Sequence, residues 1–204
     1  MVTDDVVAYV RAALPPPPAR VLEVGAGAGE LARSLRALGY SVLAIDPASQ
    51  QPDVVPVALL ELDPEPESFD AAVAVLSLHH VNPLAESCRR LAEALRAGGP
   101  LVIDEFDVEQ LDEAAVTWWL ERRQTGAAEH AHAPASVVAE LRGHLHSLAD
   151  VRGALTESFA SGEPVRGAYL HRWAKAAAKR ADEEAEIAAG RLPATGARLV
   201  ALRR

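Results

Sequence analysis

Val21-Leu22-Glu23-Val24-Gly25-Ala26-Gly27-Ala28-Gly29-Glu30 is an apolar run that contains one acid and then alternates glycine with alanine. A second apolar run, Val42-Leu43-Ala44-Ile45, follows and ends in Asp46. Continuous apolar runs of this length are the pattern of parallel strands covered on both faces, and 29–38 between them has helical spacing. Glycine lets the chain turn sharply and lets a ligand reach the peptide plane with no Cβ in between. An acid at the tip of the next strand can accept hydrogen bonds from two neighbouring hydroxyls, as on a ribose. Together these features read as a nucleoside-binding crevice in an α/β fold.

Spacing narrows the choice of nucleoside. The dinucleotide fingerprint is G-x-G-x-x-G/A, with a small third residue where the helix packs on the strand. Counted from Gly25, that position is 30 and holds Glu. A carboxylate in the first helical turn repels phosphates where positive potential is needed, so a nucleotide-dependent oxidoreductase is disfavoured. The observed pattern, E-x-G-x-G-x-G, resembles the first motif of the class I S-adenosylmethionine-dependent methyltransferases. Their ligand has no phosphate, carries a sulfonium and an ammonium, and tolerates nearby acids. Ser68-Phe69-Asp70-Ala71-Ala72-Val73-Ala74-Val75-Leu76-Ser77-Leu78-His79-His80-Val81 resembles the fourth-strand segment of that family. Leu95-Arg96-Ala97-Gly98-Gly99-Pro100-Leu101-Val102-Ile103-Asp104-Glu105 resembles the turn and fifth strand. The match holds in order and spacing over 20–106, and 187–201 is similar to the final loop and strand. The small-molecule members similar to the ubiquinone/menaquinone methyltransferases are the nearest in flavour.

The resemblance implies a Rossmann-like, doubly wound, mostly parallel seven-stranded sheet with an antiparallel last strand. It also implies methyl transfer from S-adenosylmethionine to a small-molecule acceptor, with S-adenosylhomocysteine as product. The other class in view is a non-catalytic S-adenosylmethionine-binding or regulatory protein of the same fold.

The 204 residues, half of them hydrophobic, suit one domain with a substantial core. Residues 1–18 read as an N-terminal helix and Pro spacer, 19–106 as the donor-binding half, and 107–204 as cover helices and closing strands. A net charge of −9 with no basic, aromatic-interleaved patch disfavours nucleic acid, whose phosphates need Lys and Arg. No apolar run approaches the roughly 20 residues that span a bilayer, and Met1-Val2-Thr3-Asp4-Asp5 carries no basic region of a secretory signal. Cys88, the single cysteine, suits a reducing cytoplasm and a buried, inert thiol. Oligomeric state is not legible.

Along the chain, Val6, Val7, Val10 and Leu14 set a helix over 3–13 with Thr3 as N-cap, ended by Pro15-Pro16-Pro17-Pro18. Strands are expected at 20–25, 41–46, near 54–58, 69–76 and 99–105, and helices at 29–38 and 83–97. Gly39 and Gly98-Gly99 fit the helix C-termini, and Pro83 fits a first helical position. Beyond these, helices are expected near 110–124, 134–147 and 168–189, and strands near 152–160 and 196–203.

In an open α/β sheet ligands bind beyond the carboxyl ends of the strands where strand order reverses. That places Gly25–Gly29 and Ser77–His80 on opposite lips of one crevice. The candidate donor-binding residues are Glu23, Gly25, Ala26, Gly27 and Gly29, with Asp46 and Pro47 at the ribose. Leu60, Leu76 and Ser77 are candidates for the adenine pocket, with Glu61 or Asp63 as its acid. Methyl transfer needs a base only when the acceptor arrives protonated. Imidazole titrates near working pH, so His80, ahead of His79, is the candidate. His130-Ala131-His132 and His144-Leu145-His146 point their rings about 200° apart on a helix, and no metal site is expected. Trp118-Trp119 reads as core packing or an aromatic wall for the acceptor. Tyr9 reads as part of a lid over the donor or as surface packing.

Overall fold

The computed structural model describes residues 3–122, 133–174 and 179–204. Helix α1 (Asp4–Ala13) turns Val6 and Val10 inward and stops before the prolines. Strand β1 (Arg20–Val24) then leads through the glycine turn into α2 (Glu30–Ala37) and β2 (Ser41–Ile45). Next come β3 (Ala71–Val75), α3 (Leu84–Ala94) and β4 (Pro100–Phe106). The C-terminal half holds α4 (Glu113–Arg122), α5 (Pro134–His144), α6 (Leu148–Leu155), β5 (Phe159–Ser161) and β6 (Val165–Gly167). It closes with α7 (Leu170–Ala174), α8 (Arg180–Ala188) and β7 (Gly196–Arg203).

The seven strands run in the order β2-β1-β3-β4-β7-β5, with β6 also on β7. β1 pairs in parallel with β2 and β3, and β3 with β4. β7 is antiparallel to β4, β5 and β6, and so among the described strands it alone runs against the rest. Alternate strand residues face opposite layers, as the two-residue strand period demands. Val21, Val73 and Val102 pack with Leu31 and Leu35 of α2 and Val6 and Val10 of α1. Leu22, Ala72 and Leu101 pack with Leu91 of α3 and Val151 and Leu155 of α6 on the other face. Helices therefore cover both faces, which is why the strands read as continuous apolar runs.

Five details differ from the sequence reading. The single helix expected over 168–189 is two, α7 and α8, because Lys179 is extended (φ −99°, ψ 146°) ahead of α8. The strand near 54–58 is a single parallel bridge, Ile45 to Val55. Pro56 lacks an N–H, and the Val57 N–H turns back onto the Val55 carbonyl, so the ladder stops. Most of 152–160 is helix: Ser147 caps α6 through Asp150 in a reciprocal capping box, and Leu148, Val151 and Leu155 are buried at helical spacing. Strand character survives only at β5, and β6, unanticipated, extends the same edge of β7. Finally, Thr3 occupies the N-cap of α1 without a side-chain cap bond, and Pro83 is the N-cap of α3 rather than its first residue.

Candidate functional site

The first four parallel strands end on one edge, and the glycine turn lies there. The Gly25 and Ala26 N–H groups donate to the Ile45 carbonyl at 2.9 and 3.0 Å, welding the turn to the end of β2. Asp46 completes it: Oδ2 accepts from the Gly27 N–H and Oδ1 from the Ala48 N–H, both at 2.8 Å. Each oxygen keeps a second acceptor site facing out. Gly25 sits at φ +71°, and a Cβ there would lie 2.3 Å from Ser77 Cβ. The turn after β1 and the turn after β3 therefore touch.

The turn after β3 is itself unusual. Leu76 adopts φ +56°, a left-handed conformation that costs a branched side chain on the order of 1–3 kcal/mol and persists only where its surroundings enforce it. The two residues that follow Leu76 are held by Glu105, fully buried on β4. Its Oε1 accepts from the Ser77 and Leu78 N–H groups at 3.0 and 2.7 Å. Its Oε2 accepts from the Phe106 N–H at 3.2 Å and meets His79 Nδ1 at 2.5 Å.

Two cavities open at this edge and share Gly25 and Leu76. The larger, about 430 Å³, is lined by Asp46, Pro47, Leu60, Ser77 and His80, together with Val57, Val81 and Asn82. The smaller, about 320 Å³, is lined by Glu23, Ala26, Gly27, Ala28, Glu30 and Val75. The first is mostly apolar with one acid among its lining residues, and the second carries two carboxyl groups, those of Glu23 and Glu30. The Ser77 hydroxyl and one oxygen of Glu23 are buried without a hydrogen-bond partner.

Most of the expected donor residues converge here, and three do not. Gly29 (φ +73°) is the N-cap of α2 and backs onto Arg33 and Val54, outside both cavities. Glu61 is exposed and folds over its own 3-10 turn, accepting from the Ala58 N–H at 3.3 Å, while Leu60 of the same turn points inward. Asp63 stands in solvent beside Arg90. His79 is buried against Glu105 and lines neither cavity, whereas His80 lines the larger one. Burial, and then the neighbouring His79, pull the His80 pKa below its usual value, with Glu105 opposing them. Val57, Val81, Asn82 and Ser87 escaped the sequence reading, since only the chain's path from β2 and into α3 brings them to the cavity.

Among the described residues, the other aromatic and histidine residues that the sequence singles out have structural partners. Phe106, Tyr169, Trp173 and Trp119 form a ring cluster with neighbouring centroids 4.5–5.4 Å apart, and Trp118 is buried beside it. Tyr9 lines neither cavity; its hydroxyl donates to the Ile103 and Leu199 carbonyls, tying α1 to the sheet. His144 Nδ1 bonds the Glu140 carbonyl and His146 Nε2 bonds Asn82. His130 and His132 lie outside the described residues. Cys88 is buried, and burial pushes its thiol up to about 11.

Glu23 is 3% exposed, and burial pushes its carboxyl up to about 8 from 4.5, more than Arg36 and Arg33 pull it down. The folded protein thus keeps this proton up to about pH 8, while the unfolded chain loses it near 4.5. Between those values the unfolded state binds fewer protons, so the contribution is whole below 4.5 and lost as pH rises toward 8. Glu23→Gln, which cannot ionise, is expected to gain up to about 4 kcal/mol on the wild type between pH 5 and 8. Paired urea titrations at the two pH values read this directly, and an unchanged difference would refute the raised pKa.

Comparisons with known proteins bear on the family and the fold. The chain is 35% identical over 117 residues to the ubiquinone biosynthesis O-methyltransferase of Xanthomonas axonopodis pv. citri, which is 48% of each protein. It spans about half the length of the curated relatives it matches. An S-adenosylmethionine-dependent methyltransferase from Mesorhizobium loti superposes with a TM-score of 0.63 at 21% identity, covering 99% of this chain and 98% of that one. The 1,6-didemethyltoxoflavin-N1-methyltransferase of Burkholderia thailandensis, solved with S-adenosylhomocysteine, gives 0.57 at 19%, covering 98% and 77%. Residues 4–137 match the methyltransferase domain family. With a family match over most of its length and the fold those neighbours share, the chain belongs to that methyltransferase-domain family.

Proposed function

We propose that the protein transfers a methyl group from S-adenosylmethionine to a small-molecule acceptor, releasing S-adenosylhomocysteine. The observation that carries this reading is the pair of cavities meeting at Gly25 and Leu76, apolar with one acid on one side and acidic on the other. A sulfonium nucleoside has that shape and polarity. Its nucleoside half suits the larger cavity with Asp46 as ribose acceptor, and its ammonium suits Glu23. The unpartnered Glu23 oxygen and Ser77 hydroxyl offer hydrogen-bonding capacity that nothing in the protein takes up. A bulkier residue than glycine at 25 would collide with Ser77 and displace the junction of the two cavities.

Bound donor would supply a methyl carbon already activated by positive sulfur, leaving the protein chiefly to position it and exclude water. Glu23, protonated when empty, favours its carboxylate form when a cation enters. Asp46 holds the glycine turn through Gly27 whether or not it also grips the sugar. For an acceptor that arrives as a hydroxyl, His80 takes the proton, because it is the histidine that lines the larger cavity; burial and His79 lower its pKa and so favour the neutral ring. The net charge of −9 and the absence of a basic patch favour a small acceptor over nucleic acid. No helix among the described residues is long and apolar enough to cross a membrane, and the lone buried thiol suits the cytoplasm we infer.

A second reading, a donor-binding protein without turnover, is favoured by one observation: His79 is committed to Glu105. Consumption of labelled donor in a metabolite mixture separates the two. The test of the primary reading is calorimetric titration with S-adenosylmethionine and S-adenosylhomocysteine. Binding is expected, and Asp46→Ala should weaken it about 10- to 100-fold through lost charged hydrogen bonds. No heat with either ligand would overturn the proposal.

A further inference from the structure

We propose that Glu105, outside both cavities, is the positioning residue for the donor, because it builds the Leu76–Ser77 turn against which Gly25 closes. This inference rests on the donor reading above. The sheet hydrogen bonding of β3 ends when the Leu76 N–H donates to the Asp104 carbonyl at 2.9 Å. From there the chain leaves the sheet plane through the left-handed Leu76, and the Ser77 and Leu78 N–H groups lose any ladder partner. Glu105 replaces that partner from the neighbouring strand. The parallel register of Val75 with Asp104 sets Glu105 one residue beyond the last paired position.

The need for a carboxylate follows from counting donors. Three backbone N–H groups and His79 Nδ1 converge on two oxygens. An ionised carboxylate accepts at about four sites and donates none. A glutamine accepts on one oxygen only, so in either orientation its NH₂ faces two donors. The loop is braced again from outside, where the His146 N–H donates to the His79 carbonyl at 3.0 Å. His79 is thereby a strut of the turn, and its neighbour His80 is left facing the larger cavity.

The turn lies where the two cavities meet, so its displacement affects a ligand that spans both more than one that fills the larger alone. Glu105→Gln is expected to weaken S-adenosylhomocysteine at least 10-fold while weakening adenosine less than 3-fold, measured by calorimetry at a temperature where every variant is folded. Leu155→Ala in α6 is the stability control: it lowers the melting temperature through the core and keeps both affinities. Where Glu105→Gln does not yield folded protein, His79→Leu, which deletes one of the four donors, is read the same way. Unchanged S-adenosylhomocysteine affinity would overturn the proposal. So would equal losses for the two ligands, or a matching loss in Leu155→Ala. Absence of binding by the wild type would instead overturn the donor reading.

Discussion

Gly25→Ala is expected to lose at least 100-fold in affinity for S-adenosylhomocysteine and to destabilise the fold by about 2–4 kcal/mol. Two costs combine. At φ +71° an L side chain pays roughly 1 kcal/mol of backbone strain that glycine avoids. The new Cβ also lies 2.3 Å from Ser77 Cβ, far inside the roughly 3.5–4 Å of carbon contact, and overpacking of this kind typically costs 1–3 kcal/mol. Relief requires the β1 and β3 turns to part by more than an ångström, which displaces the junction of both cavities. Gly98→Ala separates the causes: its φ is +73°, yet nothing lies within 4 Å of the added Cβ. That variant should show the strain in a melt and leave ligand affinity intact. Affinity within threefold of wild type for Gly25→Ala would refute the proposed junction.

The half of the fold that the sequence declared is the half built from unbroken apolar strands, 20–106, where β1 to β4 fall within a residue or two of expectation. Their signal is strong because burial on both faces demands apolar side chains at every position. The expected edge strand near 54–58 failed on one residue, Pro56, whose missing N–H outweighs the β propensity of Val54, Val55 and Val57. Within 152–160, Leu155 and Phe159 sit four positions apart, a spacing that a strand and a helix both place on one face. The capping box Ser147–Asp150 was present in the sequence and decides the matter.

The site divides in the same way. The glycine turn and Asp46 were legible because they depend on backbone conformation and on a strand end, both local properties. Glu61 is eligible as a loop acid by sequence, but a 3-10 turn sets successive side chains about 120° apart and gives the cavity Leu60 instead. The pairing of His79 with Glu105 was not legible, since 26 positions separate them and only the β3–β4 register brings them together. The adjacent histidines looked interchangeable in sequence; the fold sends one to a buried carboxylate and the other to the cavity.

The same strand supplies the largest expected effect on stability. Asp104 is 2% exposed and points to the face opposite Leu101 and Ile103. It accepts a bidentate pair from Arg172, at 3.1 and 3.0 Å, and a third bond from Arg198 Nε at 3.0 Å. Arg198 reaches on to Asp5 of α1 at 2.6 Å, and Asp5 also pairs with Arg180 of α8, so one buried acid anchors the first helix and the last two. These guanidinium groups, chiefly Arg198 through its hydrogen bond, hold the Asp5 carboxyl below its ordinary pKa. Removing a buried partner costs more than the pair contributes, because the remaining charge stays desolvated: about 3–5 kcal/mol. Against a total stability of roughly 5–15 kcal/mol, Asp104→Ala should therefore shift the urea midpoint severely. Arg172 is only 9% exposed and is the guanidinium most fully stranded by that change. Adding Arg172→Met to Asp104→Ala removes its buried charge, so the double variant should be more stable than the two single losses sum to. Additive losses, or an Asp104→Ala cost below about 1 kcal/mol, would mean that Arg172 and Arg198 find water when Asp104 is gone, and that the network is a surface feature rather than the joint between the two halves of the chain.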